Sequence, residues 1–163
     1  MKFNIKNLNK VDLIKIGLPF LFASLHYLRR GSLNESIFYV LGWFAGIVLM
    51  YLDKNQLYKY YYESIHLKDD KFARLVTRSI LFIISYFGLS LFLITSSGSD
   101  LGMGIVMGIG LILGLEMWHS RSYVEFFNQY FIQSKKLWNK YDIDLLIKVF
   151  WSFYLFISIF SVI

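Results

Sequence analysis

Apolar runs of near-spanning length, broken by short polar stretches, organise this chain. Ser79 to Ile94 carries no charge and neither does Leu101 to Leu115, with the polar turn Ser96-Ser97-Gly98-Ser99-Asp100 between them. A spanning helix has to cover roughly 30 Å of hydrocarbon at about 1.5 Å per residue. Each run is slightly short alone, and Thr95 to Ser97 and Glu116 to Trp118 extend them into the interfaces. The pair reads as a transmembrane hairpin with spans at 79–97 and 101–118.

At about 100° per residue the glycines of the second run fall on separate faces. Gly104 and Gly108 line one, Gly110 and Gly114 another. Small residues let a neighbouring backbone approach, so van der Waals packing holds such helices together in lipid. A helix grooved on two sides calls for two neighbours: either both belong to one bundle, or one groove receives a partner subunit. Leu33 to Leu52 forms a further span with its own pair, Gly42 and Gly46, whose expected use is to meet a groove of the glycine-rich helix within the same chain. The last span, 145–162, follows Asp142 and Asp144, which suit the positive end of a helix dipole. Its broadly aromatic surface, from Phe150 and Trp151 to Phe160, suits a peripheral helix facing lipid.

The N-terminal region admits three readings. Lys2, Lys6, Lys10 and Lys15 precede an apolar run, Ile16 to Leu25, that contains Pro19. A cleaved signal peptide fits the outline, but cleavage after Ala23 or Ser24 would put Leu21 or Phe22 where a small residue is wanted. An interfacial helix and a kinked span over 14–28 remain, and the basic residues favour the span. With it, fifteen Lys and Arg share one side against two on the other, Arg29 and Arg30; without it the split falls to eleven against six. The N-terminus is then cytoplasmic and the C-terminus outside, with cytoplasmic segments at 53–78 and 119–144.

In the first segment, Tyr58, Tyr60, Tyr61 and Tyr62 sit just past the membrane edge, where a ring can be apolar while its hydroxyl stays wet. Asp69 or Asp70 is the expected N-cap of a helix that starts near Lys71 and continues into the 79–97 span. Lys71, Arg74 and Arg78 would share one face of it, spaced for lipid phosphates, or simply form a solvated positive-inside face. In the second segment, Ser122 and Glu125 have capping-box spacing. The helix they would start gathers Tyr123, Phe127, Tyr130 and Phe131 on one side, the pattern of a helix lying in the interface; docking of a soluble partner is the rival.

Composition places the chain in one membrane domain: of 163 residues 56% are hydrophobic and 20% aromatic, and mean hydropathy is +0.50. A net charge of +6 does not require nucleic acid, because the basic residues flank apolar runs and anionic lipid headgroups suffice as partner. With no cysteine, disulfides, thiolate catalysis and palmitoylation are excluded together.

Chemistry has one focus. Glu116 is the only acidic residue clearly inside a span, where a charge costs about 3 kcal/mol on insertion scales. Either it snorkels to the interface and pairs with Arg121 or another loop cation, or it forms a proton or cation site, with His119 three residues on as its companion. His26 at the outer edge and His66 in a loop have no second metal ligand at a recognisable spacing, and Asp53 closes a span at the interface. No metalloprotease helix, phosphate-binding loop, dinucleotide fingerprint or nucleophile elbow occurs. No catalytic residue, metal or cofactor is expected.

Leu52-Asp53 with Leu57-Tyr58-Lys59-Tyr60, and Thr95-Ser96-Ser97-Gly98-Ser99 followed by Gly102, Gly104-Ile-Val-Met-Gly108 and Trp118, make the chain resemble a family of small uncharacterised multi-pass membrane proteins of candidate-phyla bacteria. The resemblance spans about half the chain and implies a bacterial inner membrane, but no activity and no site residues. The expected fold is an all-α integral membrane bundle of about five transmembrane helices with cytoplasmic interfacial amphipathic helices. The expected role is a non-enzymatic packing or accessory subunit, or a membrane scaffold, whose partners are the bilayer and another copy or another membrane protein. The alternatives are a small oligomeric transporter or channel using Glu116 and, third, a membrane-embedded enzyme.

Overall fold

A computed structural model describes residues 10–57, 75–134 and 137–162, and all the regular structure in them is helical. The helices are α1 (Lys10–Arg30), α2 (Leu33–Leu52), α3 (Ile80–Phe92), α4 (Asp100–Ser120), α5 (Val124–Phe127) and α6 (Lys140–Val162). Three helices among the described residues are long and apolar enough to cross a membrane: Leu33–Gln56, Asp100–Ser120 and Lys140–Ser161. Ile80–Ser96 is apolar and shorter.

Local polar groups set the helix ends. Gly31 takes φ 67° after α1, a conformation glycine adopts at no steric cost, and the Ser32 hydroxyl then accepts from the Glu35 amide at 3.4 Å to start α2. The polar turn before α4 works alike. A π-helical turn (Leu93–Ser97) ends at Gly98 with φ 56°, and Ser99 Oγ accepts from the Gly102 amide at 3.2 Å. α3 does not continue a helix from near Lys71 as expected: a 3₁₀ turn (Val76–Arg78) and an extended Ser79 intervene, and Ser79 caps α3 by accepting from the Phe82 amide at 3.1 Å. The break turns Arg78 inward, toward acidic partners on α2 and α4. Asp69, Asp70, Lys71 and Arg74, like Tyr58, Tyr60, Tyr61 and Tyr62, lie outside the described residues.

The Ser122–Glu125 capping box is also absent, since α5 follows Tyr123 with no side-chain cap. Reciprocal capping occurs instead before α6, where Asn139 Oδ1 accepts from the Asp142 amide at 2.9 Å and Asp142 Oδ2 from the Asn139 amide at 3.3 Å. Capping spacing is short and frequent by chance, so the spacing of Ser122 and Glu125 did not by itself mean that a box would form there.

α4 occupies the centre. It runs parallel to α2, and the two backbones touch: Gly42 meets Leu101 and Ile105, Gly46 meets Ile105 and Ile109, Gly104 meets Tyr39 and Trp43, and Gly108 meets Trp43 and Ile47. A Cβ at any of these four would lie under 3.0 Å from a backbone atom. The other glycine face of α4 takes side chains, with Tyr86 of α3 and Tyr154 of α6 over Gly110, and Phe150 and Trp151 of α6 over Gly114. Both grooves are therefore occupied by this chain. Outside this centre, α1 lies antiparallel on α2 through Phe22–Trp43 (5.6 Å between ring centroids), and α3 meets α6 through Phe87–Phe153 (4.4 Å). The aromatic surface of α6, expected to face lipid throughout, is divided: Phe150 and Tyr154 are buried while Phe156 and Phe160 are exposed.

Overpacking a core costs about 1–3 kcal/mol where side chains can shift, and backbone can shift less. Gly104→Val is therefore expected to destabilise by about 3 kcal/mol or more, while Gly88→Ala, which meets open space, should stabilise by up to about 1 kcal/mol through helix propensity. Chemical unfolding of the two variants in detergent micelles checks both signs.

Candidate functional site

The densest charged cluster among the described residues gathers at one end of the bundle, where α2 finishes, α3 begins and α4 enters its last turns. The π-helical turn that ends α2 (Asp53–Leu57) presents Asp53 and Lys54, the 3₁₀ turn before α3 presents Thr77 and Arg78, and α4 presents Glu116. Arg78 is 1% exposed. Its guanidinium grips Glu116 with two bonds, Nε to Oε2 at 2.9 Å and Nη2 to Oε1 at 3.1 Å, in the bidentate geometry that suits a planar fork. Nη1 donates to Thr77 Oγ1 at 2.6 Å and to Asp53 Oδ2 at 3.4 Å, and both Nη atoms reach the Met50 carbonyl at 3.2 Å. The Thr77 hydroxyl in turn donates to Asp53 Oδ2. Lys54 Nζ stands 3.6 Å from Glu116 Oε1, so the two carboxylates face two cations.

Tyr130 borders this cluster from the segment after α5. Burial first, and the negative charge of Glu116 second, push its phenol up to about 12, so the ring is held neutral beside the ions.

Several expected placements change. Arg78, expected to face lipid phosphates, points inward for an electrostatic reason: its 3₁₀ turn lies beside two carboxylates, and their attraction outweighs hydration of the guanidinium. Glu116 has a cationic partner, but that partner is Arg78, with Lys54 beside it; Arg121 instead lies over the Trp118 ring at 3.8 Å. His119 is exposed. Asp53, expected to mark the interface, is 8% exposed and ties Arg78 to α2. The segment expected to lie in the lipid interface packs on its own bundle: of its four aromatic residues Phe127, Tyr130 and Phe131 are buried, and Tyr123 is exposed. Periodicity defines an apolar face without saying whether lipid or protein covers it.

A second polar cluster sits at the opposite end and has no counterpart in the expectations. His26 of α1 is fully buried, with Nδ1 at 3.2 Å from Ser36 Oγ of α2 and Nε2 at 3.2 Å from Asp100 Oδ1 of α4. The one sequence signal for it is topological, because short turns at Gly31 and Gly98 bring the end of α1 and the starts of α2 and α4 to one level. Asp100 and Glu116 are 16 residues apart on α4 (116 − 100), about 24 Å at 1.5 Å per residue, so the two clusters bracket an apolar middle.

Comparison of the chain with family models, with characterised proteins and with solved structures yields no match.

Removing one partner of a buried ion pair costs about 3–5 kcal/mol, whereas replacing the pair with apolar groups is often neutral. Arg78→Ala is therefore expected to destabilise the bundle by about 3 kcal/mol or more, and Arg78→Met combined with Glu116→Leu to recover part of that loss, since Asp53 still lacks its cation. A double-mutant cycle of unfolding free energies in micelles measures it; additive losses would show that the cluster does not act as a unit.

Proposed function

We propose that the chain is a multi-pass membrane protein with five spans, 14–28, 33–52, 79–97, 101–118 and 145–162, and that it acts as a non-enzymatic accessory or scaffold subunit. One observation supports this most: close packing and ion pairing are directed inward, while large apolar side chains face outward all round. Phe20 and Leu21 of α1, Phe38 and Leu41 of α2, Leu81 and Ile84 of α3, and Leu155 and Ile159 of α6 are all exposed. A surface of this kind needs lipid or another membrane helix to cover it.

The charges supply an orientation. Among the described residues Lys10, Lys15, Lys54, Arg78, Arg121, Lys140 and Lys148 belong to the Glu116 end, Lys15 through its 2.9 Å bond to Tyr51, while Arg29 and Arg30 belong to the other. The positive-inside bias makes the Glu116 end cytoplasmic, beside anionic headgroups, with the C-terminus outside, consistent with a bacterial inner membrane. A second reading, a small oligomeric transporter or channel, is favoured by the Glu116 side chain, which is 24% exposed between the buried Arg78 and the half-exposed Lys54. Intramembrane carboxylates of this kind mark ion paths.

Topology is tested with single cysteines, since the chain has none of its own. Asn34→Cys should react with an impermeant reagent in intact cells and Ser122→Cys only after permeabilisation; the reverse pattern removes the orientation. Native mass spectrometry of the protein released from its own membrane then separates the two roles. A stoichiometric second membrane protein supports the accessory subunit, and a homo-oligomer whose ion flux is lost in Glu116→Gln supports the transporter.

A further inference from the structure

We infer that His26 is a proton-binding site, built by Ser36, Asp100 and the Ser32 carbonyl so that the imidazole is fully hydrogen-bonded both before and after it takes up a proton. Asp100 Oδ1 lies 3.2 Å from Nε2, and a carboxylate accepts, so Nε2 carries the hydrogen of the neutral ring. Nδ1 is then an acceptor, and Ser36 Oγ at 3.2 Å donates to it. The same hydroxyl has a second acceptor, the Ser32 carbonyl, at 3.1 Å.

A proton arriving at Nδ1 turns that atom into a donor. The Ser36 hydrogen swings to the Ser32 carbonyl, and Ser36 Oγ accepts from Nδ1–H. No heavy atom has to move and no polar group loses its partner. The balance is simple: one proton is added at Nδ1, nothing else is transferred, and the His26–Asp100 pair goes from a charge of −1 to 0. Among the described side chains, Asp100 from α4 and Ser36 and Tyr39 from α2 face the ring. The Tyr39 ring stacks on the imidazole at 5.2 Å and 16°, a placement that also suits an imidazolium. Its hydroxyl is bonded elsewhere, to Ser161 of α6 at 3.1 Å, and does not compete for the proton. The Asp100 side chain is 13% exposed, which puts the site at the rim of the bundle and gives the proton a way in from water.

Ser, His and Asp in this order also form nucleophilic triads. Here Ser36 is 6% exposed, lies within α2 and has its hydroxyl shared between His26 and the Ser32 carbonyl, which suits a relay and not attack on a substrate. The inference is independent of whether Glu116 moves an ion.

The test is nitrogen NMR of the full chain in lipid nanodiscs, labelled with ¹⁵N-histidine. A His66→Gln, His119→Gln variant leaves His26 as the one histidine. At alkaline pH the spectrum should show the Nε2–H tautomer with Nδ1 unprotonated. On acidification the Nδ1 signal should make the large upfield shift of a protonated nitrogen while the fold persists, and Asp100→Asn should abolish the tautomer preference. An Nδ1–H tautomer in the otherwise unmutated chain, or an Nδ1 signal that never shifts before the bundle unfolds, overturns the inference without reliance on the Asp100 variant.

Discussion

Backbone contact between α2 and α4 is the constraint to which the other elements conform. In the bilayer setting proposed here, helices gain little from hydrophobicity toward one another and hold together by packing. Gly42, Gly46, Gly104 and Gly108 allow the two axes to approach until main chain meets main chain. Trp43, placed between Gly104 and Gly108, is fully buried as a result, and its ring gives α1 a surface through Phe22. With that side closed, the Gly110–Gly114 face can only look toward α3 and α6, and aromatic rings of those helices fill it.

The charged clusters follow from the same arrangement. Because α2 and α4 are parallel, Asp53 and Glu116 come to the same end, and α3, entering there, delivers Arg78 between them. The Met50 carbonyl near the end of α2 accepts from both Nη atoms as well. At the other end the parallel pair sets Ser36 beside Asp100, and α1 supplies His26. Ionic contacts thus lie near the ends of a bundle whose middle is apolar apart from hydroxyls such as those of Tyr154 and Ser158, which bond to α4 or to their own helix.

How much of this was legible in the residues varies with the range of the interaction. Helix positions follow from local apolar runs and from Ser and Gly at the turns, and the glycine spacing of α4 announces two faces without naming what fills them. Arg78 illustrates the limit: its sequence neighbours Lys71 and Arg74 suggest a cationic face, and only the distant Asp53 and Glu116 decide that it turns inward. Phe127 and Phe131 fail for a related reason, since an apolar stripe is equally compatible with lipid and with a bundle's own core. His26 was illegible because its partners lie 10 and 74 residues away, on two other helices.

The parallel contact of α2 with α4 also has a temporal side. Helices adjacent in sequence can pair as they emerge from the ribosome, but Gly42 and its counterpart Gly104 are 62 positions apart (104 − 42), with α3 between them. At about 5–20 residues per second of synthesis, the grooved face of α2 waits roughly 3 to 12 seconds before its partner exists. During that interval Trp43 and the bare backbone at Gly42 and Gly46 are open to other contacts; in the bilayer setting proposed here, correct assembly depends on those contacts staying reversible until α4 arrives.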